Sequence, residues 1–505
     1  MTQPNILFLK VDQLFAAALN TYGNPFSITP HLDELFARGT TFENTYCSYP
    51  ICAPSRFSTM TGQLASKVGA YDNAAEMAAS IPTFAHYLRA AGYQTCLSGK
   101  MHFVGPDQLH GFEERLTAEL YPTDFTWNKV GTDFAPEQVS DARGVTHAGI
   151  TRDTVQIAHD ELVAFRARRK IYDLAQSNDQ RPFLLCVSFT HPHEPFLCRR
   201  EDWDLYEGID IPPPSVGRIP DNQLDPLSRR VGEMWSLLQD FDPTAVAIAR
   251  RAYYGSVSFV DRLVGQVLTA LKDCGFADNT AIVFTSDHGE MLGERGLWFK
   301  KVFYEPSVWV PLVICMPDSP TAQRVQSPVS LVDLAPTLIA LANDGERAET
   351  VEPLEGESLL PMMRNKETCR QSDVVSELMS EGLADPVIMI RRGAFKFIGG
   401  PTHPSQLFDL ESDPQELTDL AGHSDHAATL DDFTKRMHAK WDFDALKADL
   451  ALSQKRRALI QQAHGRGVRP SWDTAMGTDE AGRWLRSSGD YGDWAFRELP
   501  GDSTD

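Results

Sequence analysis

Short apolar runs alternate with helix-period segments along the first two-thirds of the chain. The runs are rich in β-branched and aromatic residues and read as strands buried on both faces; they cover residues 5–11, 93–98, 182–189, 280–286 and 310–315. Between them, residues 80–92, 151–177 and 243–272 have helical periodicity, and in the last segment Phe259, Leu263, Val267 and Leu271 recur on one face. This alternation predicts an α/β fold with a large, mostly parallel sheet sandwiched by helices.

The pattern changes near residue 376. The segments VVSELM, AFKFIGG and SQLFDL are short and alternate between apolar and polar residues, and ESDPQELTDLA follows them as a turn and a helix start. Alternation of this kind predicts antiparallel strands with one solvated face. We therefore expect a first domain over residues 1–375 and a smaller α+β subdomain over residues 376–464, with a short antiparallel sheet and a helix.

The tail over residues 465–505 has little periodicity but contains several aromatic residues, namely Trp472, Trp484, Tyr491, Trp494 and Phe496. Disordered tails are usually poor in aromatic residues. We therefore expect this tail to dock, and we predict a homo-oligomer, a dimer or a tetramer, in which it contacts a neighbouring subunit.

Composition narrows the class of protein. The chain has 505 residues and a formal net charge of −22, which argues against binding to a nucleic-acid backbone. Eight cysteines without a CxxC pair fit a reducing compartment. The N-terminus has no basic region before its short apolar run, and no run reaches the length of a membrane span. These features predict a cytoplasmic protein without a membrane partner.

Polar residues gather where the predicted strands end. Ligands of open α/β sheets bind at the carboxyl ends of strands, and four runs continue into pairs of chemically useful side chains: Asp12 and Gln13, Lys100 and His102, His191 and His193, Asp287 and His288. A single polar residue at such a position is usually only solvated. Four strands that each deliver such a pair predict one functional site.

These residues divide by charge. Asp12, Gln13, Asp287 and His288 offer carboxylate, carbonyl and imidazole ligands for one divalent cation. The other set suits an anionic tetrahedral group and comprises Arg56, Lys100, His102, His193 and Lys300. A metal beside a cationic cluster points to the hydrolysis of a phosphate or sulfate ester.

Cys52, in the segment ICAPSR, fits this site. Pro54 is suited to the first turn of a helix, and SRFSTMTG continues it as far as Gly62. Arg56, four residues after Cys52, projects near it across that turn, and the backbone amides of a helix start favour an anion. The alternative interpretation is a buried, inert thiol.

The motif C-x-P-S-R, here CAPSR followed by Thr61 and Gly62, resembles the signature of the formylglycine-dependent (type I) sulfatases of the alkaline phosphatase superfamily. The resemblance extends over nearly the whole chain. YDNAAE, SFTHPHEPF, SDHGEMLGERGLWFK and the stretch from SIPTFAHY to ERLT are similar to the choline sulfatase branch, and LFDL-x-x-DP-x-EL-x-DLA is similar to the sulfatase C-terminal subdomain.

The resemblance implies that a maturation enzyme oxidises Cys52 to formylglycine, whose hydrated aldehyde attacks sulfur. The second hydroxyl of that diol then lets the adduct collapse and release sulfate. Arg56 is implied to hold the diol, Lys100 and Lys300 to bind sulfate oxygens, and His193 or His102 to protonate the leaving oxygen. Asn73 and His191 are further implied substrate contacts, although Asn73 also suits a turn.

Two departures from the family pattern keep alternatives open. Gln13 and His288 stand where many sulfatases have acidic or amide ligands, which leaves the identity of the metal open. The resemblance implies calcium as the first choice, whereas an imidazole ligand also suits manganese or zinc, and magnesium is a further alternative. Tyr121, Phe125 and Trp127 offer aromatic faces for a quaternary ammonium group, but residues 128–150 are poor in aromatics.

We therefore expect a hydrolase of small sulfate monoesters, with choline sulfate as the first substrate and aryl sulfates accepted. The alternatives are a phosphonate or phosphate monoester hydrolase of the same superfamily and a non-catalytic protein that binds sulfated metabolites.

Overall fold

The computed structural model describes residues 3–126, 142–317, 322–343, 345–346, 349–365, 367–380, 382–468, 471–473, 496 and 498–500. Its strands in chain order are β1 (Asn5–Val11), β2 (Thr40–Phe42), β3 (Thr45–Tyr46), β4 (Gln94–Gly99), β5 (Glu114–Arg115), β6 (Gly149–Thr154), β7 (Phe183–Ser188), β8 (Leu197–Arg199), β9 (Thr280–Ser286), β10 (Trp309–Val310), β11 (Leu312–Cys315), β12 (Gln323–Val325), β13 (Val329–Ser330), β14 (Val374–Leu378), β15 (Val387–Arg392), β16 (Phe395–Gly399), β17 (Gln406–Asp409) and β18 (Glu498–Pro500).

The α-helices are α1 (Pro30–Phe36), α2 (Cys52–Thr61), α3 (Ala65–Val68), α4 (Phe84–Ala90), α5 (Arg143–Thr146), α6 (Val155–Gln176), α7 (Arg200–Asp204), α8 (Pro226–Met234), α9 (Pro243–Asp273), α10 (Glu305–Val308), α11 (Leu334–Leu341), α12 (Leu360–Arg364), α13 (Ala427–Lys440) and α14 (Phe443–His464). As its periodicity predicts, the long helix α9 buries one face, which includes Phe259, Leu263, Val267 and Leu271.

The central sheet has eight strands in the order β12-β2-β11-β9-β1-β7-β4-β5, and the run from β9 to β5 is parallel throughout. Two groups of helices pack against this sheet, one built on α6 and α9 and the other on α2, α4 and α11. The predicted α/β fold is confirmed. One detail differs: the fifth predicted strand, β11, runs antiparallel to β9, because residues 287–311 return to the same edge of the sheet without a helical crossover across it.

A four-stranded antiparallel sheet, β14-β15-β16-β17, follows in the chain. The sequence predicts three of its strands but not β15, because VIMIR is a continuous apolar run rather than an alternating one. The sheet packs on α13 through Phe397 and Phe433, whose rings stack. The expected small antiparallel sheet with a helix is confirmed.

Several helix boundaries differ from the prediction, and α4, expected from residue 80, begins at Phe84 after the N-cap Thr83. Residues 149–154 form β6, and α6 starts only at Val155, where the Thr154 side chain accepts a hydrogen bond from the amide of Ile157. The helix start expected in ESDPQELTDLA is wrong. Aspartate side chains in that stretch accept backbone amides, as Asp413 does from Thr418 and Asp419 from Ala421; these local bonds favour a turn over a helix, and α13 begins at Ala427.

The described residues of the tail contact their own chain. Strand β18 pairs with β6, which pairs in turn with β8. The ring of Trp472 lies edge-on to Phe125 at 5.4 Å, and the ring of Phe496 lies 5.8 Å from that of His147. The expectation that the tail docks is met here within one subunit. Contact with a neighbouring subunit stays a prediction.

Candidate active site

Cys52 lies at the start of α2, as the motif predicts. The helix ends at Thr61, where Gly62 adopts a left-handed φ of 67°. Ile51 at the N-cap provides no side-chain hydrogen bond. That function falls to Asn73, whose Oδ1 accepts a hydrogen bond from the amide of Ala53 at 3.0 Å. Asn73 therefore caps the helix that presents Cys52.

Two neighbouring parallel strands bring the expected metal ligands together. Asp12 follows β1, and Asp287 and His288 follow β9. The Cys52 Sγ lies 3.2 Å from His288 Nε2 and 3.8 Å from Asp12 Oδ1. One potential ligand atom from each of Asp12, Cys52, Asp287 and His288 lies within 4.8 Å of the others, and all four side chains are buried.

The protonation of this cluster suits a divalent cation. His288 Nδ1 donates to the carbonyl of Gly289 at 3.0 Å, so Nε2 turns its lone pair toward Asp12 and Asp287, each 3.7 Å away. Burial lowers the pKa of His288 to about 4, which leaves the ring neutral. Although burial raises it, the charges of Lys100 and its neighbours hold the pKa of Asp12 well below its usual range. Deprotonated carboxylates and a neutral imidazole are the ligand forms that metals require.

Gln13 lies beside the cluster in a left-handed conformation, with φ of 66°. Its side-chain Oε1 accepts a hydrogen bond from the ammonium of Lys300, and its Nε2 donates to Glu290. Its backbone carbonyl accepts a hydrogen bond from the hydroxyl of Tyr253 at 2.9 Å. The amide oxygen that was predicted as a metal ligand therefore points to the cationic side of the site.

Arg56 contacts the ends of four neighbouring parallel strands, β9, β1, β7 and β4. Its Nε lies 2.8 Å from Asp287 Oδ2 and its Nη2 lies 2.9 Å from Asp12 Oδ2. Its Nη1 donates to the carbonyl of Lys100 and to the hydroxyl of Ser188, each at 2.7 Å. The ammonium of Lys100 pairs with Asp12 as well. Ser188 was not predicted, although its place at the end of β7 could have indicated it.

The electrostatics do not make Cys52 a thiolate. Burial, reinforced by the negative charge of Asp12, raises the pKa of the Cys52 thiol to about 11. A thiol nucleophile requires a lowered pKa. The surroundings that stabilise cations and metal ligands here leave the unmodified thiol protonated at neutral pH.

Lys300 and His193 form a hydrogen-bonded pair in which Lys300 carries the charge. The Lys300 ammonium donates to His193 Nε2 at 2.8 Å, and His193 Nδ1 donates to the carbonyl of Glu194 at 2.7 Å. Burial, followed by the charge of Lys300, holds the pKa of His193 well below its usual range. The shared proton of this pair therefore resides on Lys300, from which His193 can receive it.

His102 lies on the other side of Lys100. Its ring centroid is 4.9 Å from that of Tyr121, and the Lys100 ammonium lies 4.2 Å from the same Tyr121 ring. Burial, reinforced by Lys100, lowers the pKa of His102 well below its usual range. His102 and Lys100 thus face one aromatic wall.

His191, a predicted substrate contact, turns its side chain to Asp160. Its Nδ1 donates to that carboxylate at 2.8 Å, and its ring lies 4.9 Å from Phe259. The described contacts of His191 therefore give it a supporting position behind the site. Trp127, another predicted contact, lies outside the described residues.

Four buried carboxylates at the site were missed in the sequence, and one of them, Glu194, lies 3.5 Å from the Lys300 ammonium. Glu119, Asp160 and Glu290 are buried and accept hydrogen bonds from loops that carry predicted site residues. Glu290 accepts from the amides of Leu292 and Phe299. Their spacing carries no motif. The position of Glu290, three residues after Asp287 in SDHGE, was the one local signal.

Known proteins resemble this chain along its length. The family model described as Sulfatase matches residues 4–344, and the model described as N-sulphoglucosamine sulphohydrolase, C-terminal, matches residues 293–442. A choline-sulfatase of Rhizobium meliloti (strain 1021) is 44% identical over 502 residues, which cover 96% of each chain. An arylsulfatase of Clostridium perfringens is 28% identical, with 85% of this chain and 92% of the relative covered.

Among solved structures, a phosphonate monoester hydrolase of Agrobacterium radiobacter superposes with a TM-score of 0.70. It is 23% identical, and the match covers 88% of this chain and 96% of that one. At this identity the likeness concerns the fold. The family model that spans most of the chain and the relative that is 44% identical along its length agree with the cysteine-centred site, and the chain belongs to the sulfatase family of the alkaline phosphatase superfamily.

Proposed function

We propose that this sulfatase hydrolyses small sulfate monoesters, that choline sulfate is its first substrate and that it also accepts aryl sulfates. One observation carries the proposal: Cys52 opens a capped helix with its Sγ 3.2 Å from His288 and beside two buried aspartates. The 44% identity to a choline-sulfatase supports the choice of alcohol.

The positive charges of the site define where the sulfate group binds. Lys100, Lys300 and Arg56 are buried and lie around Cys52. Asp12 and Asp287 pair with Arg56 and Lys100, and Glu194 lies 3.5 Å from Lys300. The convergence of three buried cationic donors around Cys52, rather than an excess of positive charge, suits an anionic ester. We assign the binding of sulfate oxygens to Lys100 and Lys300, and the anchoring of the Cys52 side chain to Arg56.

We assign the delivery of a proton to the leaving alcohol to His193 and Lys300. Lys300 donates a hydrogen bond to His193 Nε2, so a proton that passes from the ammonium to Nε2 and on to the leaving oxygen leaves Lys300 neutral until solvent reprotonates it. Although burial opposes it, the charge of Glu194 raises the pKa of Lys300 and favours this reprotonation. His102 is the second candidate for this role. Asn73, with its amide nitrogen beside the start of α2, is a further contact for the ester.

Asp12, Asp287 and His288 are the residues that we assign to a divalent metal, calcium in the first place and manganese or magnesium as alternatives. Gln13, the fourth ligand predicted from the sequence, would have to turn its amide oxygen away from Lys300 to join them. When bound, such a metal polarises a sulfate oxygen and favours an ionised nucleophile. Cys52 is assigned as the residue that a maturation enzyme converts to formylglycine, since its thiol is protonated as it stands.

The alcohol is recognised at the aromatic wall. Tyr121 faces both Lys100 and His102, and Phe125 follows four residues later. A quaternary ammonium group is attracted by such ring faces. Trp127 is assigned to this wall by its place in the sequence.

The test compares kcat/KM for choline sulfate and a nitrophenyl sulfate, in the wild type and in Trp127→Ala. Loss of one aromatic face should cost choline sulfate about 0.5–2 kcal/mol and leave the aryl ester less affected. No turnover of choline sulfate would refute the substrate. An unchanged ratio in Trp127→Ala would refute the aromatic contact alone.

A phosphonate or phosphate monoester hydrolase is the second candidate, because cations placed around Cys52 would bind the oxygens of any tetrahedral anionic ester and would not distinguish sulfur from phosphorus. Rates on paired sulfate and phosphonate esters of the same alcohol distinguish the two. A non-catalytic binding role would leave Cys52 as a thiol, and the mass of the tryptic peptide that contains Cys52 decides this point.

We also propose that residues 1–375 form the catalytic domain, that residues 376–464 form the subdomain and that the protein is a cytoplasmic homo-oligomer. All eight cysteines are free thiols. Among the described residues, no helix is both long and apolar enough to cross a membrane. The mass of the protein in solution, before and after removal of residues 465–505, tests the role of the tail in assembly.

A further inference from the structure

Two buried carboxylates outside the candidate site residues have the same arrangement. Glu119 accepts hydrogen bonds from the consecutive amides of Met101 and His102, at 2.9 and 2.7 Å. Asp160 accepts from the consecutive amides of Thr190 and His191, each at 2.8 Å. Each carboxylate therefore holds a loop that directly follows a strand of the central sheet.

The strands concerned are neighbours. The loop held by Glu119 follows β4, and the loop held by Asp160 follows β7, which pairs with β4 in parallel. One loop contains Lys100 and His102, and the other contains His191 and His193. The two carboxylates thus support the loops that deliver four candidate site residues.

The carboxylate of Glu119 is ionised and accepts further hydrogen bonds besides those from the loop. Besides the two loop amides, its Oε2 accepts a hydrogen bond from Arg115 Nη2 at 2.8 Å, and its Oε1 accepts one from the amide of Leu120 at 3.0 Å. Burial opposes ionisation, but the charge of Arg115 and the loop amides lower the pKa of Glu119 to about 2.

The loop beside Glu119 has a strained residue. His102 adopts a left-handed φ of 64°, a conformation that β-carbon sterics disfavour. Its amide donates the 2.7 Å hydrogen bond to Glu119, which is shorter than those from Met101, Arg115 and Leu120. Backbone strain of this kind persists only where surrounding contacts over-determine it. Glu119 is the contact that compensates it here.

Asp160 contacts its loop through the side chain of His191 as well as through backbone amides. Its Oδ2 also accepts from the imidazole Nδ1 of His191 at 2.8 Å. Burial opposes ionisation, but hydrogen bonds from His159 and His191 hold the pKa of Asp160 well below its usual range. His159 lies between the two supports, 3.5 Å from Asp160 Oδ1 and 3.4 Å from the carbonyl of Ala118, next to Glu119.

We propose that Glu119 and Asp160 are positioning residues for sulfate ester hydrolysis: Glu119 sets the place of Lys100 and His102, and Asp160 sets the place of His193. The proposal rests on the proposed function. Because Lys100 binds sulfate and His193 moves a proton, the two residues act on different steps.

The experiment compares Glu119→Gln and Asp160→Asn with the wild type and with Asp261→Asn. Asp261 is a matched control, because this buried carboxylate also accepts two consecutive amides, from His31 and Leu32, at the start of α1. The measurements are kcat and KM for choline sulfate, the dissociation constant of inorganic sulfate by calorimetry, and the melting temperature.

For Glu119→Gln we expect kcat/KM to fall about 10- to 100-fold, with a rise in KM and a weaker affinity for inorganic sulfate. For Asp160→Asn we expect a loss of similar size, mainly in kcat, with sulfate affinity retained. Asp261→Asn should lower the melting temperature while kcat, KM and sulfate affinity stay within twofold of the wild type.

The proposal is overturned if the two site variants behave like Asp261→Asn at an equal loss of melting temperature. If Glu119→Gln does not fold, Glu119→Asp takes its place, since it retains the charge paired with Arg115 but is one methylene short of the loop amides; if neither folds, the role of Glu119 is structural and the proposal is wrong. A wild type that neither binds sulfate nor hydrolyses its esters refutes the proposed function instead.

Discussion

At the scale of single residues, the first prediction concerns Cys52, which we propose as the precursor of the nucleophile. Cys52→Ala should reduce turnover below detection, because alanine cannot be converted to formylglycine and leaves no nucleophile in the place of Sγ, 3.2 Å from His288 Nε2. The melting temperature should change little. Cys315→Ala is the control, a buried cysteine at the end of β11. Near-native turnover by Cys52→Ala would contradict the proposed mechanism.

A second prediction at the scale of single residues concerns Asp287, a proposed metal ligand. Its Oδ2 pairs with Arg56, while its Oδ1 faces His288. We expect Asp287→Ala to lose bound metal and activity together, and chelation of the wild type to cause the same loss, reversed by calcium. Asp333→Asn, a buried carboxylate paired with Arg370, should retain both. Full metal content in Asp287→Ala, measured by elemental analysis, would remove Asp287 from the ligand set.

At the scale of elements, the contact between β4 and β7 determines where Lys100 lies. Gly99 ends β4 with φ of 107°, and a β-carbon there would lie 1.9 Å from the carbonyl oxygen of Ser188. Gly99→Ala should therefore cost more than about 3 kcal/mol in the free energy of unfolding and reduce activity.

Gly92→Ala is the matched control at this scale. Gly92 has φ of 95°, but a β-carbon there would meet nothing within 4 Å. The Gly92→Ala substitution should lower the free energy of unfolding by about 1–2 kcal/mol, because it adds only the strain of a left-handed alanine, and it should leave kcat/KM unchanged. Urea unfolding and steady-state rates measure both variants, and equal costs would show that the close approach to Ser188 is unimportant.

At the scale of the whole molecule, the C-terminal helix α14 is connected to the site. Arg457 on α14 forms a buried bidentate pair with Asp72, at 2.6 and 2.8 Å. The next residue, Asn73, caps α2 at Ala53. Arg457→Met leaves the Asp72 carboxylate buried without its cation, which should cost about 3–5 kcal/mol in the free energy of unfolding and lower kcat/KM through the loosened cap.

The control for this prediction is the exposed pair of Lys435 and Asp431 on α13. Lys435→Met should leave the free energy of unfolding and the activity nearly unchanged, because surface ion pairs contribute little. Retention of full stability by Arg457→Met would show that α14 does not support the site.

Local patterns in the chain are enough to predict the long buried strands, the long helices and the candidate site residues at the strand ends. Buried runs and helical periodicity are properties of short segments, so the sequence predicts β1, β9 and α9 almost to the residue. Because parallel strands end at one edge of a sheet, their terminal residues can be assembled into a site from the sequence alone. The CAPSR motif places Cys52 at a helix start for the same local reason.

The surroundings of those residues follow only from the folded chain. Gln13 contacts Lys300, and Glu119 and Asp160 hold the loops after β4 and β7. The pairing of β6 with β18 and the antiparallel direction of β11 likewise become visible only in the folded chain. Each depends on contacts between segments far apart in the chain. A buried carboxylate has no periodicity of its own, and its role follows from the backbone amides that the fold brings to it.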